Sequence, residues 1–123
     1  MREGNAASVP WPTELRVDRE RTTLTLTFDT GERFALPAEY LRVESPSAEV
    51  QGHSASQKQI VPGKRHVKFE SLDPVGNYAT RIRFDDGHDT GLYSWDYLYQ
   101  LGREQDSKWA SYLSALRAKK LAR

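Results

Sequence analysis

Apolar and polar residues alternate through TTLTLTF at residues 22–28, placing Leu24, Leu26 and Phe28 on one face and threonines on the other. A period of two marks a strand buried on one side only. Leu15 and Val17 form a shorter alternation upstream, and a charged turn at 19–21 separates the two. After Phe28, Thr30-Gly31 supplies a turn and residues 33–36 return as a strand. Pro37 then falls in the first turn of a helix through Glu39, Tyr40 and Leu41, where its missing N–H costs nothing. The pattern recurs in NYATRIRFDDGHDTGLYSWDYLYQL at residues 77–101. Tyr78, Ile82 and Phe84 share one side, Asp86-Gly87 is a turn dipeptide and residues 88–93 return. Ser94 caps a helix carrying Trp95, Tyr97, Leu98 and Leu101.

Aligning FDTGERFALPAEYLR with FDDGHDTGLYSWDYLY pairs Phe28 with Phe84, Gly31 with Gly87, Leu36 with Tyr93 and Tyr40-Leu41 with Tyr97-Leu98. One extra residue in the second hairpin accounts for the offset. Each unit has one apolar sheet face that it cannot bury alone, so pairing the two would make the core. The fold predicted is α+β: a mainly antiparallel sheet built from two strand-turn-strand-helix units, followed by a C-terminal amphipathic helix.

Residues 44–65, rich in Ser, Gln, Gly and Lys, read as a long surface loop with a short strand near 59–61. Val67 and Phe69 begin one more strand, leading through Asp73-Pro74 and Gly76 into the second hairpin. Gly102 is a helix stop, and Asp106 or Ser107 caps a final helix at about 106–121 with Trp109, Tyr112, Leu113 and Leu116 as its apolar stripe. Residues 1–12 are expected to be flexible, with Trp11 anchoring them, and 13–123 to form a single domain.

A chain of 123 residues can bury one core. Its 18 basic and 17 acidic side chains leave a formal charge of +1, which argues against general affinity for nucleic acid or anionic membrane. With no cysteine, disulfides, thiolate metal sites and cysteine nucleophiles within this chain are excluded. No apolar run approaches the roughly 20 residues that span a bilayer, and the start of the chain lacks the apolar core of a secretory signal. The expectation is a cytoplasmic protein.

Asp85, Asp86, His88 and Asp89 invite a metal or acid–base reading. Against it, Asp-Gly is preferred hairpin chemistry, and alternate residues of a hairpin point to opposite faces. None of the three histidines begins the His-x-Asp or His-x-Glu of a non-haem iron triad. There is no Gly-x-Ser-x-Gly elbow and no phosphate-binding Gly-rich loop. Arg81 and Arg83 share the outer face of a half-buried strand, an ordinary place for arginine, so a single-strand nucleic-acid platform is not favoured. Arg117, Lys119, Lys120 and Arg123 crowd the last helix's C-terminus, where cations suit the dipole.

The segment NYATRIRFDDGHDTGLYSWDYL, with LPAEYLRVESPSAEVQGH before it, resembles the signature of the gamma-butyrobetaine hydroxylase-like N-terminal domain family, also called domain of unknown function nine-seven-one. The resemblance covers about residues 13–102 and is to the stand-alone bacterial kind. In that family the domain precedes the catalytic domain of 2-oxoglutarate-dependent hydroxylases, is attached to some ATPases of iron–sulfur cluster assembly, or occurs alone. In the hydroxylases it holds a structural zinc through Cys-x-Cys-x-x-Cys and a later histidine. The matching positions here are Ser45, Ser47 and Val50, with His88 the one retained ligand type. The resemblance therefore implies that the zinc site is lost and that no cofactor is carried. It implies an accessory module that is not an enzyme, since the hydroxylase's catalytic domain and iron ligands are not in this stretch.

The function expected is a non-enzymatic accessory or protein-binding module, its partner another protein contacted through Trp95, Tyr97 and Tyr99 on the second unit's helix. The alternative is a small metal- or ligand-binding protein using His88 with His53 and Asp86 or Asp89.

Overall fold

The threonine-flanked run becomes the central strand of a sheet because its apolar half has a core to enter. In the computed structural model, which describes residues 10–52 and 57–123, β1 (Pro12–Val17), β2 (Thr23–Phe28) and β3 (Arg33–Pro37) form one antiparallel sheet in sequence order. Leu15 pairs with Leu26 and Val17 with Leu24, so β1 adds its apolar residues to the same face. The helix α1 (Ala38–Val43) follows without a loop. The second unit repeats this order with β4 (Phe69–Val75), β5 (Ala79–Phe84), β6 (Gly91–Ser94) and α3 (Trp95–Arg103). Leu24, Leu26, Phe28, Leu36, Tyr40 and Leu41 from the first unit are buried in one cluster with Phe69, Ile82, Phe84, Tyr93, Leu98 and Leu101 from the second.

The internal repeat is thus a three-strand-plus-helix unit, one strand longer than the sequence alignment suggested, and it extends to individual hydrogen bonds. The Phe28 amide donates to Glu32 and the Gly31 amide to Phe28, as Phe84 donates to His88 and Gly87 to Phe84. Gly31 and Gly87 have φ of 91° and 92°, in the left-handed region that glycine enters without penalty. The start of α1 is tied by Ala38 N–H to Thr22 O, and that of α3 by Trp95 N–H to Tyr78 O. Both first strands carry a bulge, between Pro12 and Glu14 and between Phe69 and Ser71.

The two units exchange a matched pair of bonds across the core. Tyr40 donates its hydroxyl to Leu101 O at 2.7 Å, and its counterpart Tyr97 donates to Glu44 O at 2.5 Å. Each phenol satisfies a carbonyl at the end of the other unit's helix, an end whose carbonyls would otherwise lack partners. Such bonds contribute about 1 kcal/mol each.

After a single residue, Glu104, the chain enters α4 (Gln105–Ala118), close to the helix expected at 106–121. Tyr112 and Leu116 are buried there with Val43, against Ile60, Val61, Trp109 and Leu113.

Four local expectations are corrected. Segment 44–65 is not simply a surface loop: it contains the one-turn helix α2 (Ala48–Gln51), and Glu44, Ser45, Ser47 and Val50 are buried. No strand forms at 59–61; Gln59 donates its amide to Val50 O instead. Pro37 ends β3 and precedes α1, on a sheet edge where a missing N–H is tolerated. Tyr78, expected on the core face, lies before β5 and is 56% exposed. Residues 1–9 of the expected flexible segment, and His53, lie outside the described residues; Pro12 already belongs to β1. Among the described residues no helix is long and apolar enough to cross a membrane.

Candidate functional site

The β5–β6 turn delivers His88 into the molecule. Its amide donates to Asp86 Oδ1 at 3.1 Å and its carbonyl accepts from Phe84, which fixes the backbone, and only 6% of the residue stays exposed. Nε2 lies 2.8 Å from Ser45 Oγ and Nδ1 lies 3.1 Å from Glu49 Oε1. A carboxylate only accepts, so Nδ1 carries the proton and Nε2 takes the Ser45 hydroxyl proton. Burial, reinforced by the Arg42 charge, pushes the imidazole's pKa below its usual value although Glu49 and Asp86 pull the other way, in keeping with this neutral form. Ser45 Oγ also accepts from the Ser47 amide, and Ser47 Oγ caps α2 by accepting from Glu49 N–H while bonding Thr90 at 2.7 Å. The segment carrying α2 is thereby stapled to the hairpin.

Hydroxyl, imidazole and carboxylate stand in the order of a hydrolase triad. Access is missing. Ser45 is 0% exposed, and a Cβ on Gly91 would lie 2.7 Å from its Oγ, so backbone covers the position where a substrate carbonyl would have to sit.

The acidic cluster disperses. Asp85 accepts from the Lys68 amide, and Asp89 faces Arg83 at 3.9 Å. Asp86 Oδ2 takes Arg42 Nε at 2.8 Å and Lys64 Nζ at 2.6 Å. Among the described residues no group of three His, Cys, Asp or Glu side chains could share a metal ion. The positions matched to the family's zinc ligands do gather, since Ser45 bonds both His88 and the Ser47 amide and Val50 is buried on α2. Their donors do not fit zinc. Two neutral hydroxyls, a hydrocarbon and an imidazole with both nitrogens engaged do not make a tetrahedral thiolate–imidazole set.

Burial pushes the Asp86 carboxyl up, but Lys64, the His88 amide and Arg42 outweigh it and hold the pKa at about 2. A depressed carboxylate stabilises the fold fully above its unfolded pKa, near 3.8, and loses that contribution as pH falls through about 2. The contribution at neutral pH is about 2 kcal/mol. Asp86→Asn should lower the urea midpoint at neutral pH, because it leaves Arg42 and Lys64 uncompensated, and should flatten the acid limb of stability below about pH 4. An unchanged acid limb would show that Asp86 is not the group responsible.

The predicted contact tyrosines turn inward at their polar tips. Tyr97 bonds Glu44, and Tyr99 donates to Glu32 Oε1 at 2.5 Å and accepts from Arg103 at 3.0 Å. Trp95 differs. Its Nε1 donates to Asn77 O at 2.9 Å, and its ring lines a cleft of about 380 Å³ with Leu15, Val17, Leu72, Pro74 and Thr80. This cleft runs between β1 and β4, the edge strands of the two sheets. A further hollow, lined by Val17, Leu72, Phe69, Arg19 and Arg21, continues it at one end. On the other side of Trp95 a hollow of about 240 Å³ is lined by Trp11, Tyr78, Ser94, Trp95 and Asp96. Trp11 is anchored through its main chain, by bonds to and from Asp29, while the residue as a whole is 37% exposed. On the opposite face of the second sheet, Arg81 and Arg83 are both paired with Asp73.

A family model described as gamma-butyrobetaine hydroxylase-like, N-terminal, matches residues 15–99. Two NMR solution structures are similar, one at 42% identity and a TM-score of 0.82 over 94% of this chain and 91% of that one, the other at 45% and 0.81 over 98% and 90%. A crystal structure of a protein of unknown function from Acidithiobacillus ferrooxidans, belonging to the DUF971 family, is 37% identical with a TM-score of 0.65 and covers 77% of this chain and 98% of that one. No curated protein matches the chain.

Proposed function

We propose that this chain, which belongs to the gamma-butyrobetaine hydroxylase-like N-terminal family, is an accessory module with no reaction of its own that binds an extended segment of a partner protein. The observation that carries this is the apolar cleft between β1 and β4. Among the described residues β1 pairs only with β2 and β4 only with β5; Arg21 bonds Phe69 and Glu70 at the start of β4, and beyond that point both outer edges lack a strand partner beside the cleft. An extended segment can pair its main chain with such an edge and place alternate side chains between Leu15, Val17, Leu72 and Trp95. The enclosure of Ser45 and His88 supports a structural rather than catalytic role for the Ser45–His88–Glu49 chain, and the donor set at Ser45, Ser47, Val50 and His88 supports a module without zinc.

The family's fusions, given above as what the resemblance implies, name an iron–sulfur assembly ATPase or a 2-oxoglutarate-dependent oxygenase of the same cell as the first partners to test, on analogy alone. Photo-crosslinkers placed at Leu15 and Leu72 should capture one protein in the native cell. Val17→Asp or Leu72→Asp, with unchanged circular dichroism, should abolish capture, whereas Arg81→Ala on the opposite face should not. Capture indifferent to both aspartates would overturn the proposal.

A further inference from the structure

We propose that the hollow formed by Trp11, Tyr78, Trp95 and Asp96 binds an organic cation, a guanidinium or alkylated ammonium group. The proposal is independent of the cleft's partner and rests on the molecule's own internal repeat.

The repeat supplies a comparison within one chain. Asp96, in the first turn of α3, has as its counterpart Glu39 in the first turn of α1. Glu39 holds a cation: Arg123 makes a two-pronged pair with it, at 2.7 and 3.1 Å, and its guanidinium lies 5.4 Å from the centre of the Trp109 ring. A carboxylate at this corner of the unit together with an indole face is thus a demonstrated guanidinium seat in this fold. At the second corner the carboxylate is kept and the aromatic surface is larger, three rings instead of one. Among the described residues no cationic side chain pairs with Asp96 or lies over these rings, whereas Tyr99 and Trp109 each have an arginine.

The fold does not require the extra aromatics. The backbone bond that Trp95 makes to Tyr78 is made in the first unit by Ala38 to Thr22, at 2.7 Å against 3.1 Å, with side chains that bring no ring. One aromatic does have a structural task. In the first unit Arg21 O accepts the amide of Phe69, the first residue of β4; the matching first residue of β1 is Pro12, which has no N–H to give, and the matching Asn77 O takes the Trp95 indole. That bond fixes the Trp95 ring but leaves Trp11 and Tyr78 unexplained.

The backbone places the other two aromatic residues beside it. The Trp11 main chain is clamped by Asp29, its amide donating to the carboxylate and its carbonyl accepting from the Asp29 amide. The Tyr78 ring lies over Gly76, where a Cβ would come within 2.9 Å of it, so the glycine lets this 56% exposed ring settle close to the turn. Aromatic faces attract cations through their quadrupole, and a neighbouring carboxylate adds a Coulomb term that a neutral ligand of the same size does not feel.

The test follows the indole N–H signals of Trp11 and Trp95 in a nitrogen–proton correlation spectrum, with Trp109 as the internal control. Tetramethylammonium and N-acetyl-arginine amide are titrated as probes, and tert-butanol serves as a neutral compound of similar bulk. Saturable shifts of Trp11 and Trp95 with either cation are expected, at least tenfold weaker in Asp96→Asn and in Trp11→Ala, with Trp109 unmoved. Stronger binding of the arginine probe points to a side chain as the natural ligand, and stronger binding of tetramethylammonium to a small quaternary ammonium compound. Shifts that do not saturate, equal binding of tert-butanol, or an unaffected Asp96→Asn variant would overturn the proposal. Because the probes are small molecules, none of these results bears on crosslinking at Leu15 and Leu72.

Discussion

Gly102→Ala is expected to destabilise the protein by about 2 kcal/mol, although in an ordinary helix the same change stabilises by about 1 kcal/mol. Gly102 lies inside α3, and a Cβ there would stand 2.4 Å from Phe34 Cγ and 2.5 and 2.8 Å from the two adjoining ring carbons. Phe34 cannot readily withdraw. Its ring meets Phe28 and Tyr99 edge-on at 5.9 and 5.8 Å, and those two meet each other at 5.2 Å, so the added methyl must displace a packed trio. A fall in Tm of roughly 5–10 °C is the observable. Phe34→Leu, costly in the parent, should cost less in the alanine variant, because the smaller side chain relieves the overlap that the added methyl creates. A neutral or stabilising Gly102→Ala would mean that α3 stands further from β3 than described.

The same contact shows how the two units diverged. The counterpart of Phe34 is Gly91 and the counterpart of Gly102 is Ser45, so a ring facing a glycine on one side becomes a glycine facing a serine on the other. Backbone and hydroxyl approach closely there, and Ser45 reaches His88. A phenylalanine at position 91 would occupy that space. The buried polar network and the aromatic trio are therefore alternative fillings of one pseudosymmetric position.

Much of this was legible because local chemistry and tertiary need agree in the hairpins. The alternation of β2, the two glycine turns and the capped helix after Ser94 can be read from windows of a few residues, and they revealed the repeat. The first strand of each unit escaped the alignment because a bulge shifts its register and a proline interrupts it, at Pro12 in β1 and Pro74 in β4. Helix α2 escaped because it is one turn long and its surroundings are buried by hydrogen bonds rather than by apolar composition. The Ser45–His88–Glu49 chain joins residues 43 and 39 positions apart, and no local pattern encodes such contacts. The resemblance nonetheless marked Ser45, Ser47 and His88 as neighbours. Tyr97 and Tyr99 suit a surface as well as an interior by sequence, because a phenol fits either side; a buried carbonyl at Glu44 and a carboxylate at Glu32 turn them inward.

The largest gain of function should come from Ser45→Cys, Ser47→Cys and Val50→Cys combined. Zinc needs four thiolate or imidazole donors within bonding reach of one point, and the scaffold already brings Ser45 against His88 and Ser47 against Ser45, with Val50 buried on the next turn. Without metal the variant should be weaker than the parent by about 2–4 kcal/mol, from loss of the Ser47 cap, the Ser45–His88 bond and buried hydrocarbon at position 50. With metal the order should reverse, because a ligand that binds only the folded chain stabilises it in proportion to its affinity. One equivalent of zinc, a chelator-sensitive Tm and a tetrahedral thiolate spectrum with cobalt are the expected signs. Adding His88→Ala should cut the affinity tenfold or more by removing the fourth donor. If the triple variant takes up no metal, or if His88→Ala leaves its affinity unchanged, then the hydrogen-bonded staple does not occupy the position of the family's zinc, and the two sites are unrelated in space.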